Sequence, residues 1–248
     1  MKQLDALRIR AVIRKEIRDY RRKRAIVVAM IILPIIFLIQ PVISIFVVPV
    51  SEGSAALHRY VILPLLYLLL LPVTMPSTLA AYAVVGEREQ GTLEPLLTTP
   101  LRRMEFILGK AAAVMIPTVS LSYLVFALFL LAVRLFAPGA LSSAVFGQGP
   151  ILLALFLFAP LLAGWGVVVG MAISVRASEV RVAQQLGMLG SLPIIGVVVL
   201  FAVGVIQPTI TTALLFGVGM LAVDLRALRI VARMFDRERL VTGVKPAH

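Results

Sequence analysis

Between two long apolar runs the chain reads Gly86-Glu-Arg-Glu-Gln-Gly-Thr-Leu-Glu-Pro-Leu-Leu-Thr-Thr-Pro-Leu-Arg-Arg-Met-Glu-Phe-Ile-Leu-Gly-Lys110. Four acids (Glu87, Glu89, Glu94, Glu105) and four bases (Arg88, Arg102, Arg103, Lys110) make this insert locally neutral. The runs beside it, Tyr60 to Val85 and Ala111 to Val133, each exceed the roughly 20 residues that a helix needs to cross a bilayer. A neutral polar surface held between two crossings suits a protein partner better than anionic lipid.

Working outward, the composition agrees. Hydrophobic residues make up 60% of the 248 and charged residues 15%, and mean hydropathy is +1.03, far from the balance of soluble domains. The reading is an all-α, polytopic membrane protein. The net charge of +12 is grouped beside apolar runs, as juxtamembrane anchors are, so nucleic acid is not the expected partner. No cysteine is present, which excludes disulfides and thiolate metal sites and leaves the redox compartment open. The N-terminal stretch lacks a small-residue cleavage pattern and is expected to remain in the mature protein.

Uninterrupted apolar stretches give six expected spans: Ala25 to Val50, Tyr60 to Val85, Ala111 to Val133, Pro150 to Val175, Val182 to Ile206 and Thr209 to Val223. The last reaches only about 22 Å at 1.5 Å per residue before Asp224. Either its helix continues past the bilayer with Arg226 and Arg229 snorkelling to the interface, or the chain around Gln207 and Pro208 dips back as a broken hairpin. Three units follow: residues 1–24, a cytoplasmic amphipathic helix; 25–240, the six-span domain with its loop at 86–110; and 241–248, a tail. With six spans, Lys and Arg number ten before Ala25, four in the 86–110 loop, two between Arg176 and Arg181 and six after Val223, against two on the other side. That asymmetry predicts cytoplasmic termini and a cytoplasmic insert in a cell (inner) membrane.

Before the first span, Ile9, Ile13, Ile17 and Tyr20 share one face of a 3.6-residue wheel and Arg8, Arg10, Arg14, Arg18, Arg21 and Arg22 occupy the rest. This predicts a helix lying in the membrane interface. After the last span, Leu225, Leu228, Val231 and Phe235 continue a helical stripe. Prolines recur in the spans, and Gly166 with Gly170 forms a small-xxx-small pair suited to close helix contact. Within the insert, Thr92 is placed to cap a short helix through Leu97, and Pro100 to open the helix of the third span.

The expected spans contain no Asp, Glu, Lys, Arg or His. Ion-coupled carriers, proton pumps and intramembrane hydrolases need ionisable groups at membrane depth, so those classes are disfavoured. No metal set and no catalytic set is expected. Gln40, Ser44, Thr78 and Ser120 are the candidate polar contacts of a transport path. Gly109 and Lys110 lack the earlier glycine and the following Ser or Thr of a phosphate-binding loop. Any ATP hydrolysis must therefore come from another chain.

The insert resembles that of permease subunits of the ABC type-2 exporter family, in which Gly-Glu-Arg-Glu-x-Gly-Thr-Leu-Glu is followed by Leu-Leu, Thr-Pro and a basic pair. Here these are Gly86 to Glu94, Leu96, Leu97, Thr99, Pro100, Arg102 and Arg103. Ile9 to Glu16 and Phe235 to Leu240 are also similar to the family. The resemblance implies a coupling helix in the first cytoplasmic loop and a re-entrant element between the fifth and sixth spans. It also implies pairing of two permeases with two ATP-binding cassette subunits that carry Mg-ATP, and no cofactor on this chain. Carried over, Glu87, Arg88, Glu89, Gly91, Thr92, Leu93, Glu94, Leu96 and Leu97 would contact the ATPase. The expected function is the permease half of an exporter for hydrophobic or amphipathic cargo. A motor-independent channel or carrier and a membrane assembly scaffold are the alternatives.

Overall fold

The computed structural model describes residues 5–47, 54–82, 85–89, 91, 102–207 and 209–234. The described residues form helices and no strands: α1 (Ala6–Arg22), α2 (Arg24–Val47), α3 (Ser54–Tyr67), α4 (Leu70–Ala80), α5 (Val85–Glu89), α6 (Arg103–Phe136), α7 (Gly139–Phe146), α8 (Gly149–Arg176), α9 (Val180–Gly190), α10 (Leu192–Ala202) and α11 (Ile210–Met234). Five segments are long and apolar enough to cross a membrane: Arg24–Val47, Tyr60–Glu87, Met104–Phe136, Gly149–Arg176 and Val180–Ala202. The sixth expected span falls in α11, which is outside that set.

At the centre, α4 packs against α8. In α4, Leu71, Val73, Met75, Leu79 and Ala80 are all buried. The Gly166/Gly170 pair makes this crossing: a Cβ on Gly166 would lie 2.9 Å from the Val73 carbonyl oxygen, and one on Gly170 would lie 2.6 Å from the Ala80 Cβ. Only bare backbone fits there. Around this pair, α11 lies on α8, α6 on α8 and α4, and α2 on α6. The α2 helix is hydrophobic all round and leaves Ile31, Ile32, Ile35, Ile36, Ile39 and Ile43 exposed, a surface suited to lipid.

Two spans are broken rather than continuous. Leu68 and Leu69 form a turn between α3 and α4; Pro72 has no N–H to offer the Leu68 carbonyl four residues earlier, and Leu71 N–H donates to it instead at 3.4 Å. Ser191 separates α9 from α10, and Pro193 denies a donor to the Leu189 carbonyl in the same way.

Several sequence expectations are corrected here. The third span begins at Arg103, not at Pro100, because the Glu105 carboxylate accepts the backbone N–H of Arg102 at 3.0 Å and so closes the first turn there. Its helix also extends past the expected Ala111, taking the buried Glu105 and Lys110 into a 34-residue helix. The helix expected to end at Val223 continues: α11 runs from Ile210 through Asp224 to Met234. Residues 203–207 hold turns and bends with no further helix, and the segment between Arg134 and Gly149 contains α7. Asp224 sits over α8 where Gly164 has no side chain, its Oδ2 2.7 Å from where a Cβ would be. Its Oδ1 is buried and makes no hydrogen bond among the described residues.

Candidate functional site

The N-terminal helix starts from Asp5, whose carboxylate accepts the N–H of Leu7 at 2.9 Å, a standard N-cap. Its packed face is Val12, Glu16 and Tyr20, spaced four residues apart, while Ile9, Ile13 and Ile17 are half-buried beside it. The expected Ile stripe is therefore the flank, and the helix lies along α6. Close approach explains the register: a Cβ on Gly109 of α6 would fall 2.6 Å from the Val12 Cβ. At the start of both helices, Glu105 also accepts the N–H of Asp5 at 3.1 Å and lies 3.7 Å from the Arg8 guanidinium.

Beyond this contact, α1, α5 and α6 bring four charges together. Lys15 Nζ donates to Glu87 Oε1 at 2.5 Å and to Glu16 Oε1 at 3.1 Å. Lys110 Nζ donates to Glu16 Oε1 at 2.9 Å and lies 3.0 Å from Glu87 Oε1. Each lysine thus meets both carboxylates in a ring of two positive and two negative groups, and Lys15 also pairs with Asp19 at 3.3 Å. Glu16, Glu87 and Lys110 are buried, Lys110 to 1% exposure. The Lys110 ammonium also stands 4.9 Å from the Phe106 ring centroid. Ions this far from water persist only when paired, and removing one partner of a buried pair costs about 3–5 kcal/mol.

Electrostatics inside the ring follow its geometry. Burial alone would raise the Glu16 carboxyl, but Lys110 and then Lys15 outweigh it and hold it below its ordinary value. Burial would lower the Lys15 ammonium, and Glu16 and Glu87 reverse that and hold it above the usual lysine range. Burial pushes the Tyr20 hydroxyl up, reinforced by Glu16 and Glu87.

The other motif glutamate reaches elsewhere. Glu89 is exposed and its Oε1 accepts the N–H of Val180, the first residue of α9, at 3.0 Å. Behind it, Ser174 of α8 donates to the Ala81 carbonyl at 2.7 Å and accepts from the Val85 N–H at 3.1 Å. Gly86 packs on Tyr82, where a Cβ would stand 3.1 Å from the ring. The short α5 is therefore joined to α1, α6, α8 and α9. Gly91 has φ +65 and an open surround, a left-handed conformation that favours glycine.

Of the expected coupling residues, Glu87 is buried in the ring, Glu89 caps α9 and Gly91 is exposed. Arg88 lies on the backbone of α5, its side chain outside the described residues. Thr92, Leu93, Glu94, Leu96 and Leu97, with the helix expected there, also lie outside them.

A cleft of about 300 Å³ opens between α2, α3 and α10. Gln40, Ser44, Tyr60, Tyr67, Ile195 and Val199 are among its lining residues. Gln40 Nε2 donates to Ser44 Oγ at 2.9 Å, and Ser44 Oγ to the Gln40 carbonyl at 2.8 Å. Of the four expected path residues, the structure brings Gln40 and Ser44 together here. Thr78 bonds back to the Thr74 carbonyl at 3.3 Å on α4, and Ser120 is exposed on α6 away from the cleft. The two broken spans supply two of its walls. No group of three metal-ligating side chains occurs among the described residues.

The apolar helices, the internal charge cluster at one end and the cleft between broken helices belong to a multi-pass helical membrane protein. A family model described as ABC-2 family transporter protein matches residues 10–219. The chain belongs to that family: it is a membrane permease component of an ABC transporter, which works with ATP-binding cassette subunits. A search of curated proteins gave no match.

Sequence reasoning missed Lys15, Glu16 and Lys110 as site residues. A signal was present, since Val12, Glu16 and Tyr20 lie at i, i+4 and i+8 and place an acid in the middle of an apolar line.

Proposed function

We propose that the chain is one half of an exporter. Two copies enclose a path for hydrophobic or amphipathic cargo, and two ATPase subunits carrying Mg-ATP drive it through the 86–110 insert. The termini and insert face the cytoplasm, and α11 makes the sixth crossing, so that residues 25–240 form the transmembrane domain between a 1–24 helix and a 241–248 tail. The distribution of Lys and Arg supports that orientation. The cleft beside Gln40 and Ser44, lined otherwise by apolar and tyrosine side chains, supports a neutral cargo with a small polar group.

The observation that carries the reading is the build of the insert's first turn. Glu87 and Glu89 fasten it to α1, α6 and α9, so displacement applied beyond Gly91 works against the hold on α1 and α6 and reaches α9. Contact with the ATPase then falls to Arg88, Gly91, Thr92, Leu93, Glu94, Leu96 and Leu97, while Glu87 from inside the bundle and Glu89 from its surface hold the insert to the helices. The test is purification of the tagged chain from its native membrane. An ATPase with a phosphate-binding Gly-rich loop is expected to accompany it and to be lost or uncoupled in Glu94→Arg. A chain that moves solute without any such companion is a channel or carrier, and one that only gathers other membrane proteins is a scaffold.

A further inference from the structure

Glu87 and Glu89 stand two residues apart and hold different parts of the bundle. The Glu87 carboxylate is buried between two ammonium groups on α1 and α6, which makes that side a fixed base. Glu89 is exposed and accepts the Val180 N–H. That N–H is among those at a helix start that no turn of the helix can satisfy, and the positive end of the helix dipole favours a carboxylate there. We propose that Glu89 is a positioning residue that passes displacement of the insert to the cleft wall; this rests on the exporter reading above.

The path is continuous. From Val180, α9 runs to Gly190, the chain breaks at Ser191, and α10 follows with Ile195, Val198, Val199 and Ala202 on the cleft opposite Gln40 and Ser44. The break is held in place from two sides. Trp165 Nε1 of α8 donates to the Gly190 carbonyl at 3.1 Å, and Ser191 Oγ donates to the Gly187 carbonyl at 3.1 Å. Gly187 lets α9 ride close over Ser77 of α4, whose Cβ is 3.3 Å from where a Gly187 Cβ would be. A pull on the N-terminus of α9 therefore has a fulcrum at Gly190, and α10 is the far arm. Glu87 stays with its lysines while Glu89 moves its helix, so the two glutamates divide the load between a stationary and a mobile set of elements.

The chain has no cysteine, so Val199→Cys, 48% exposed on the cleft, supplies one reporter thiol on this chain, whose dye is read on its own gel band. The complex with its ATPase is treated with a maleimide dye, with and without ATP plus orthovanadate. With Glu89 present, trapping the nucleotide is expected to change the labelling rate by at least about fivefold, the low end of coupling between distinct sites. In Glu89→Ala that change is lost while ATP hydrolysis and co-purification persist, and Glu89→Gln, which keeps a carbonyl acceptor, restores part of it. The proposal is overturned if Glu89→Ala keeps the full nucleotide response. It is equally overturned if Glu89→Ala releases the ATPase, because the side chain is then contact surface. If the Glu89-containing reporter binds no ATPase or ignores the nucleotide, the exporter reading itself fails, a different result from either.

Discussion

The Lys110 ammonium lies 3.0 Å from the Glu87 carboxylate, with side-chain exposures of 1% and 6%. One end of the polar insert is thereby bolted to the other inside the protein, and Lys15 and Glu16 of the N-terminal helix complete the assembly. Lys110→Met leaves two buried carboxylates sharing one lysine and is expected to destabilise the protein by about 3–5 kcal/mol. The exchange Glu87→Lys with Lys110→Glu still opposes charges at 87 and 110 but sets the new carboxylate against Glu16 and the new ammonium against Lys15, so it should not recover that loss. Thermal unfolding in detergent, comparing each single variant with the pair, checks both statements.

The pH response follows from the same groups. Glu16 is held below its ordinary 4.5, so its contribution is present above that value and is lost as pH falls through the lowered folded pKa. Lys15 is held above its ordinary 10.5, so its contribution is complete below that value and is lost as pH rises through the raised folded pKa. Attachment of α1 should therefore be level between 4.5 and 10.5, weakening toward α6 below that range, where Glu16 meets Lys110, and toward α5 above it, where Lys15 meets Glu87. Limited proteolysis near Lys23 across and beyond that range reads it directly.

Two glycines give opposite expectations. Gly170→Ala drives a methyl to 2.6 Å from the Ala80 Cβ and should cost about 1–3 kcal/mol by overpacking. Gly196→Ala meets nothing within 4 Å and lies inside α10, where alanine is the better helix former by up to about 1 kcal/mol. Unfolding midpoints of the two variants should move in opposite directions.

Gly109→Ala strikes Val12 at 2.6 Å and should lift α1 from α6. Removing the opposing Cβ, Val12→Gly, should restore contact in the double variant, whereas Val12→Ala keeps that Cβ at 2.6 Å and should not. The measurement is protease sensitivity of the N-terminal helix, high in Gly109→Ala and returned toward the original in the pair.

Much of this was legible in the residues themselves. Apolar run length located five of the six expected crossings as long apolar helical segments, and Gly166 with Gly170 marked the central helix contact. The insert motif pointed to the family. What escaped was set by partners distant in sequence: Lys110 reads as the border of a span until Glu16, 94 residues away, is placed against it. The breaks at Leu68 and Ser191 were hidden because Pro72 and Pro193 sit among many prolines that leave helices intact, Pro34 and Pro41 in α2 among them. The face of α1 was misjudged since Val12 packs against Gly109 and Glu16 against Lys110, which periodicity within one helix does not show.

Asp224 bears on how the protein is made. On the proposal that α11 makes the sixth crossing, the Asp224 carboxylate would cost up to about 2.5–3.5 kcal/mol on insertion of the isolated helix, and it sits in the space left by Gly164. The last helix is thus a reluctant guest of the translocon until the helix carrying Gly164 is already in the bilayer. Order of synthesis supplies that helix first, so a permuted chain that emerged with α11 leading would strand an acid among alkyl chains.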